Sequence, residues 1–283
     1  MHRSLKTCLT SLALAGLVTT TAASAVADSG SGGTTFTQRF TAEEAASFSK
    51  GIEKTLAAKG ARIAIVFRTG RTRDKLPDGI EYTHGGFWVY QPIEREDGSH
   101  MRGYVGWNLF HGDGEELPKT QSYLANDFPF EFVGASAVDD LAIIIPTPAI
   151  QRRILTMMAD GRYEAVHDPD YSLIASPFDD RYQNCNEFML DVLAAAIWET
   201  TDYAQIKANL RAHFEASRVK TGPLARMFGP MVDRRLKLGD HRGKPIQTVT
   251  YASLAKFMMD HGYADETFKI TPTTVGALQV AKR

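Results

Sequence analysis

The sequence predicts an α+β fold in which a small antiparallel sheet packs against helices. Several segments carry apolar residues at helical spacing and begin at residues that favour helix capping. Other segments are short runs rich in β-branched and aromatic residues, bounded by turns. Two such runs, 82–91 and 104–110, are joined by a charged turn through Asp97 and Gly98, which is typical of an antiparallel hairpin. Helices separate from a hairpin-based sheet indicate the α+β class.

Local signals set the boundaries of the predicted elements. The first helix begins at Thr41, because Thr41 and Glu44 have the spacing of a capping box, in which each side chain bonds the other residue's backbone N–H. Pro146 ends the apolar run before it, since proline has no N–H to donate. In chain order the predicted elements are a helix over 41–60, a strand over 61–67, the two hairpin strands, a short helix before 129, a buried strand over 141–145, and helices over 149–159, 185–198, 203–216 and 251–260.

The N-terminus has the features of a secretory signal peptide. His2, Arg3 and Lys6 give a basic start, an apolar stretch follows, and small residues near 23–27 offer cleavage patterns. The apolar stretch is shorter than the roughly 20 residues that cross a bilayer. We therefore expect a periplasmic or secreted protein with no integral membrane segment. The predicted organisation is a signal peptide over 1–27, a flexible leader over 28–40, a single domain over 41–270 and a loosely held tail over 271–283.

The balance of charges argues against nucleic-acid binding. The chain has 32 Lys and Arg residues against 33 Asp and Glu, so it lacks the basic excess by which proteins bind nucleic acid.

The segment 108–116 contains His, Asp and Glu without the fixed spacing of a zinc or calcium site, and we predict no metal and no organic cofactor. The basic residues over 68–75 are expected to form a solvated loop.

Cys185 is the candidate nucleophile. Cys8 lies in the predicted signal peptide, which leaves Cys185 as the only thiol of an exported chain, where thiols are usually paired. Asn184 is a favoured N-cap residue, so Cys185 becomes the first residue of a helix, and a helix N-terminus stabilises a thiolate. An inert core cysteine would occupy the same position, because Phe188 and Met189 continue an apolar stripe on that side of the helix.

The turn before this helix supplies candidates for stabilising an oxyanion. The backbone N–H of Cys185 has no partner within the helix and can point at the oxygen of an attacked carbonyl. Tyr182, Asn184 and Glu187 are the neighbouring side chains that could contact this oxygen or the substrate.

His84 is the candidate base. It opens a strand and is followed by two glycines, which leave room for a substrate backbone. The hairpin turn places His84 opposite residues near position 110, within reach of Asn108 or His111. Asn108 is the better orienting residue, because its amide oxygen can accept the imidazole N–H and fix the tautomer. If His111 or His167 flanked the thiol, that histidine would replace His84 as the base.

These residues resemble the papain-like constellation, which has a histidine at a strand start, an orienting polar residue on the next strand and a cysteine at a helix start. Histidine precedes cysteine here, an order similar to that of circularly permuted relatives of the NlpC-type cell-wall peptidases. The segments that carry this likeness, and a likeness to an uncharacterised family of exported bacterial proteins, are Tyr82–Phe87, Ile144–Pro148 and Ser172–Leu193. Asn186 and Glu187 stand where Ser-Gly usually follows the cysteine.

The resemblance implies a papain-like fold of the permuted NlpC type and an exported cysteine hydrolase. Cys185 would attack an amide or related acyl bond, His84 would take and return the proton, and Asn108 would hold His84. The implied partner is a peptide or acyl substrate in the cell envelope, with cell-wall peptides as one class. The alternatives are an acyltransferase or lipid esterase with the same site, or a non-enzymatic envelope-associated binding protein with a degenerate papain-like site.

Overall fold

The centre of the molecule is an antiparallel sheet of six strands, seen in a computed structural model that describes residues 39–220, 231 and 233–275. The described residues form eight strands, of which β6 and β7 lie outside this sheet. They are β1 Ile63–Arg68, β2 His84–Glu94, β3 His100–His111, β4 Ser122–Asp127, β5 Leu141–Pro146, β6 Ser217–Arg218, β7 Gln247–Thr248 and β8 Ala264–Ile270. Their order across the sheet is β4-β3-β2-β1-β5-β8, while β6 and β7 form a separate two-stranded ribbon. The α+β class is therefore confirmed, with a sheet larger than the predicted one.

Helices cover both faces of this sheet. They are α1 Ala42–Ala58, α2 Pro129–Gly134, α3 Pro148–Asp160, α4 Cys185–Trp198, α5 Tyr203–His213 and α6 Tyr251–Asp260. Helices α1 and α2 pack on one face, and α3 to α6 form the layer on the other. In the described part of the chain, no helix is both long and apolar enough to cross a bilayer.

The central strands are buried along their whole length because both faces are covered. Every residue of β1 and β5 is buried. Side chains alternate between the faces, as the pleat requires, so Ile65 packs in the core on the α4 side while Val66 packs in the core under α1. On β2, Phe87 packs on the α4 side, whereas the rings of His84 and Trp88 lie near Phe132 of α2 on the other side.

Helix α4 is the central helix of its layer, and it begins at the predicted Cys185. Its residues from 185 to 196 are all buried, because the helix lies between the sheet and the neighbouring helices α3 and α5. The sequence predicts a broad apolar stripe, and the actual burial extends around the helix. Glu199 ends it in a left-handed conformation with φ of 53°.

Several boundaries differ from the sequence predictions. Helix α2 begins at Pro129 instead of ending before it, because proline is well suited to the first helical position and Glu131 caps the Phe128 N–H. Strands β4 and β8 were not predicted, and the helix predicted over 203–216 ends at His213.

The predicted domain limits can be compared with the structure only in part. The signal peptide predicted over 1–27 and most of the leader lie outside the described residues, as does most of the tail. Phe40 and Val275 are both buried against the α1 side of the core. The packed region therefore extends slightly beyond the predicted 41–270.

Candidate functional site

The thiol of Cys185 lies against the backbone on both sides of His84. The Asn184 side chain accepts the N–H groups of Asn186 and Glu187 at 3.1 and 3.0 Å, which fixes the helix start at Cys185. The thiol donates towards the Thr83 carbonyl at 3.8 Å. Cys185 is 5% exposed, so the sulfur occupies a closed position between α4 and the start of β2.

Burial raises the pKa of the Cys185 thiol. The N–H groups of Gly85 and Asn186 and the charge of Arg68 act in the opposite direction, but desolvation of the thiolate outweighs them. The sequence predicted a lowered pKa from the helix N-terminus. That expectation is wrong in direction, because the closed packing removes the water that would solvate the thiolate.

His84 is held by Asn108, as the hairpin register predicts. The Nε2 atom of His84 lies 3.1 Å from Asn108 Oδ1. The ring stacks on Phe110, with centroids 5.2 Å apart and planes 11° from parallel. Burial, together with the charge of Arg68, holds the pKa of His84 well below its usual range, so the imidazole is neutral near pH 7.

Asn108 in turn binds Asp127, a residue that the sequence analysis missed. Asn108 Nδ2 donates to Asp127 Oδ1 at 2.8 Å. Two glycines make room for these side chains: a Cβ on Gly86 would lie 2.3 Å from Asn108 Oδ1, and one on Gly106 would lie 2.0 Å from Asp127 Oδ1. Gly86 lies on β2 and Gly106 on β3, and both lack the Cβ that would collide with these polar side chains. This pair of glycines in two neighbouring strands is the sequence signal that could have located the cluster.

Arg68 adds a buried positive charge to the site. It is the last residue of β1 and is 2% exposed, whereas the sequence placed it in a solvated loop. Its Nη1 donates to the Ala135 carbonyl at 2.9 Å, and its guanidinium carbon lies 5.2 Å from the centroid of the Phe132 ring. Burial lowers the pKa of Arg68 to about 10, so the side chain stays charged at neutral pH.

The other residues predicted around the thiol have structural contacts. Asn184 caps the helix, and the buried Glu187 accepts from Lys207 Nζ at 2.8 Å. The ring of Tyr182 packs under Lys237, whose Nζ lies 4.7 Å from the ring centroid. The hydrogen bonds of the thiol reach none of these three side chains.

The two alternative bases are hydrogen-bonded elsewhere. His111 Nδ1 bonds the Gly112 carbonyl at 2.7 Å, and its Nε2 meets Arg235 Nη1 at 2.9 Å. His167 Nε2 lies 3.0 Å from Ser122 Oγ. Over the described ranges no hydrogen bond links the thiol to an imidazole, and the histidine whose neighbouring backbone contacts the sulfur is His84.

A cavity of about 220 Å³ opens elsewhere on the molecule. It lies between the segments 176–179 and 240–247, and neither Cys185 nor His84 lines it. Within the part of the chain that the structure describes, no group of three or more His, Cys, Asp and Glu side chains could hold a metal ion. The cavity and the thiol are thus separate features.

Comparison with known proteins identifies a bacterial family. The family model described as "Uncharacterized protein conserved in bacteria (DUF2145)" matches residues 55–258. No curated protein and no solved structure matches the chain. The matched span contains Cys185, His84, Asn108 and Asp127, so the whole candidate site lies within the family region.

Proposed function

We propose that this chain, which belongs to the bacterial family DUF2145, is an exported cysteine hydrolase that cleaves an amide or a related acyl bond. One observation carries the proposal. The thiol at the first residue of α4 lies against the backbone flanking His84, and Asn108 holds the ring of His84 by its Nε2 atom. Nucleophilic acyl chemistry needs a thiol, an imidazole that can reach it and an amide that orients the imidazole.

The tautomer of His84 suits a general base. Because Asn108 Oδ1 accepts, Nε2 carries the proton and Nδ1 keeps its lone pair. Among the described residues no hydrogen bond occupies Nδ1. This nitrogen is the one that would take the thiol proton once the thiol turns away from the Thr83 carbonyl.

The proposed reaction has two steps, acylation of the thiol and hydrolysis of the resulting thioester. Cys185 Sγ attacks the carbonyl carbon as His84 Nδ1 takes its proton, and the carbonyl electron pair moves to oxygen. His84 then gives that proton to the leaving nitrogen or oxygen, the bond to the leaving group breaks, and a thioester forms. Water attacks the thioester while His84 takes its proton, and the released sulfur regains a proton from His84.

Positive charge near the thiol supports this chemistry. The charge of Arg68 favours an anion at the sulfur, and the N-terminus of α4 acts in the same direction. The Cys185 N–H, at the helix start, can donate to the oxyanion of the tetrahedral intermediate. These groups lower the cost of the negative charge that burial otherwise opposes.

Cell-wall peptides are the substrate class that we propose first. The first support is that His84 precedes Cys185, an order similar to that of the circularly permuted relatives of the NlpC-type cell-wall peptidases. The second is the signal-peptide pattern over 1–27, which would deliver the protein to the envelope. An acyltransferase would use the same residues, with an amine or alcohol replacing water in the second step.

A second candidate, a non-enzymatic binding protein with a degenerate site, is favoured by a specific observation. The Cys185 thiol is nearly closed to solvent, its pKa is raised, and its hydrogen bonds go to Thr83 and Asn186. A buried, protonated thiol of this kind is typical of an inert core cysteine.

Digestion of purified peptidoglycan tests the two candidates against each other. The protein lacking residues 1–27 is incubated with peptidoglycan, with and without hydroxylamine, and the soluble products are identified by mass spectrometry. A hydrolase releases peptides with new termini, an acyltransferase gives hydroxamates preferentially, and Cys185→Ala gives neither. Binding to peptidoglycan with no product, equal in wild type and Cys185→Ala, would instead support the binding protein.

A further inference from the structure

The side chain of Asp127 contacts the amide that orients His84. Asp127 is the last residue of β4, the edge strand of the sheet, and it is half-buried. Its Oδ1 accepts the 2.8 Å hydrogen bond from Asn108 Nδ2, while Asn108 Oδ1 faces His84 Nε2 at 3.1 Å. Three side chains from three adjacent strands therefore form one chain of hydrogen bonds.

An ionised carboxylate fixes which way the Asn108 amide points. A carboxylate without a proton can only accept, so Asn108 must turn its NH₂ group towards Asp127 and its oxygen towards His84. The oxygen then requires a proton on His84 Nε2. The position of one carboxylate thus determines the tautomer of the imidazole two hydrogen bonds away.

We propose that Asp127 is a positioning residue, which holds the Asn108 amide in the one orientation that leaves Nδ1 of His84 able to accept a proton. This inference deepens the proposed function and rests on it for its consequence in catalysis. The geometry of the amide, however, can be tested without any substrate.

Loss of the Asp127 charge would permit the opposite arrangement. A protonated Asp127 or an asparagine can donate to Asn108 Oδ1, and the flipped amide would then present its NH₂ to His84 Nε2. His84 would have to carry its proton on Nδ1, where it cannot act as the base. The wrong tautomer of a catalytic histidine can cost about 10⁴-fold in rate in a serine protease.

The environment of Asp127 makes this change accessible near neutral pH. Burial raises the pKa of Asp127 to about 6, against the hydrogen bond from Asn108 and the charge of Arg68 on β1, while Glu131 on α2 raises it further. Asp127 is therefore ionised at pH 8 and becomes protonated as the pH falls through about 6. We expect the amide to lose its single orientation over the same range.

The test is ¹⁵N NMR of histidine-labelled protein, with His84→Gln used to assign the His84 signals. At pH 8 the wild type should show a protonated Nε2 and an unprotonated Nδ1, and Asp127→Asn should show a mixture of tautomers or the Nδ1–H form. Glu131→Gln, the matched control at the start of α2, should keep the wild-type tautomer. Acylation of Cys185 by p-nitrophenyl acetate should fall roughly 10²–10⁴-fold in Asp127→Asn alone.

A single Nε2–H tautomer in Asp127→Asn would overturn the inference, whatever the acylation rate. If Asp127→Asn fails to fold, the wild type titrated from pH 8 to pH 5 gives the same information, and an unchanged tautomer through pH 5 is the contradicting result. Normal tautomer behaviour with no acylation of the wild type would leave the role of Asp127 intact and count against the proposed hydrolase.

Discussion

The pKa values of Cys185 and His84 are both shifted in the direction that favours the neutral form. Burial raises the pKa of the thiol and lowers that of the imidazole, so the resting pair consists of a neutral thiol and a neutral ring. A preformed thiolate–imidazolium pair is not expected in this environment. Proton transfer would therefore accompany attack on the substrate, as general-base catalysis requires.

The thiol should consequently react slowly with a simple alkylating agent at neutral pH. Because desolvation penalises the thiolate, the fraction ionised at pH 8 is smaller in the native protein than in the unfolded chain. We expect iodoacetamide to modify native Cys185 more slowly than urea-unfolded Cys185 at pH 8, with the native rate still rising above pH 9. A native rate that levels off below pH 8 would indicate a lowered pKa instead.

Residue predictions from sequence succeeded where the contact follows from one hairpin. The spacing of the two hairpin strands was sufficient to bring Asn108 to His84, and that hydrogen bond is present. Asp127 reaches the site through pairing with a third strand, and Arg68 through burial under α2. Both depend on tertiary packing that a linear pattern does not contain.

At the scale of elements, α4 is anchored by a buried ion network. Lys207 on α5 contacts both Glu187 and Asp191 at 2.8 Å, and all three side chains are at most 2% exposed. Although burial acts to lower it, the two carboxylates raise the pKa of Lys207 to about 12. The network lies in the first two turns of the helix that carries the thiol.

Removing the cation should therefore be strongly destabilising. Lys207→Met leaves two buried carboxylates without a counter-charge, and we expect unfolding free energy to fall by about 3–5 kcal/mol in urea titrations. Lys256→Met, which breaks an exposed pair with Asp260 on α6, is the control and should change it by less than about 1 kcal/mol. Equal effects of the two substitutions would mean that the buried network contributes no more than a surface pair.

The elements missed by the sequence analysis are mostly edge strands. Strand β8 contains Asp265, Glu266 and Lys269, charges that suit an exposed sheet edge but interrupt the expected apolar pattern. Strand β4 is the opposite edge and is only partly buried. By contrast, α4 was predicted with its observed bounds, because a capping residue precedes a long apolar run.

At the scale of the whole molecule, the sheet joins segments far apart in the chain. Strand β1 pairs with β5, and β5 pairs with β8, so the central strands depend on residues near the end of the described region. The family match over 55–258 omits β8 and most of α1. The matched span is therefore smaller than the packed unit.

A fragment limited to 55–258 should fail to fold. It lacks Phe48 and Ile52 from the α1 core and leaves the edge of β5 uncovered by β8. We expect a fragment over 39–275 to unfold cooperatively in urea, and the shorter fragment to be insoluble or to show no cooperative transition. Cooperative unfolding of the 55–258 fragment would show that α1 and β8 are dispensable.

Export of the full chain is a further whole-molecule prediction. Expressed in a bacterium, the protein should be recovered from the periplasm or medium with its first residue between Ala25 and Asp28, as measured by intact mass. Exported protein that still begins at Met1 would contradict a cleaved signal peptide.

The central claim is that Cys185 attacks acyl carbon with His84 as its base, and acylation by p-nitrophenyl acetate tests it most directly. Wild-type protein should release p-nitrophenolate with acetylation located on Cys185 by peptide mass spectrometry. His84→Gln should slow this step by about 10²-fold or more, while His213→Gln on the exposed face of α5 should not. Equal acylation rates in wild type and His84→Gln, or no acetyl group on Cys185, would contradict the claim.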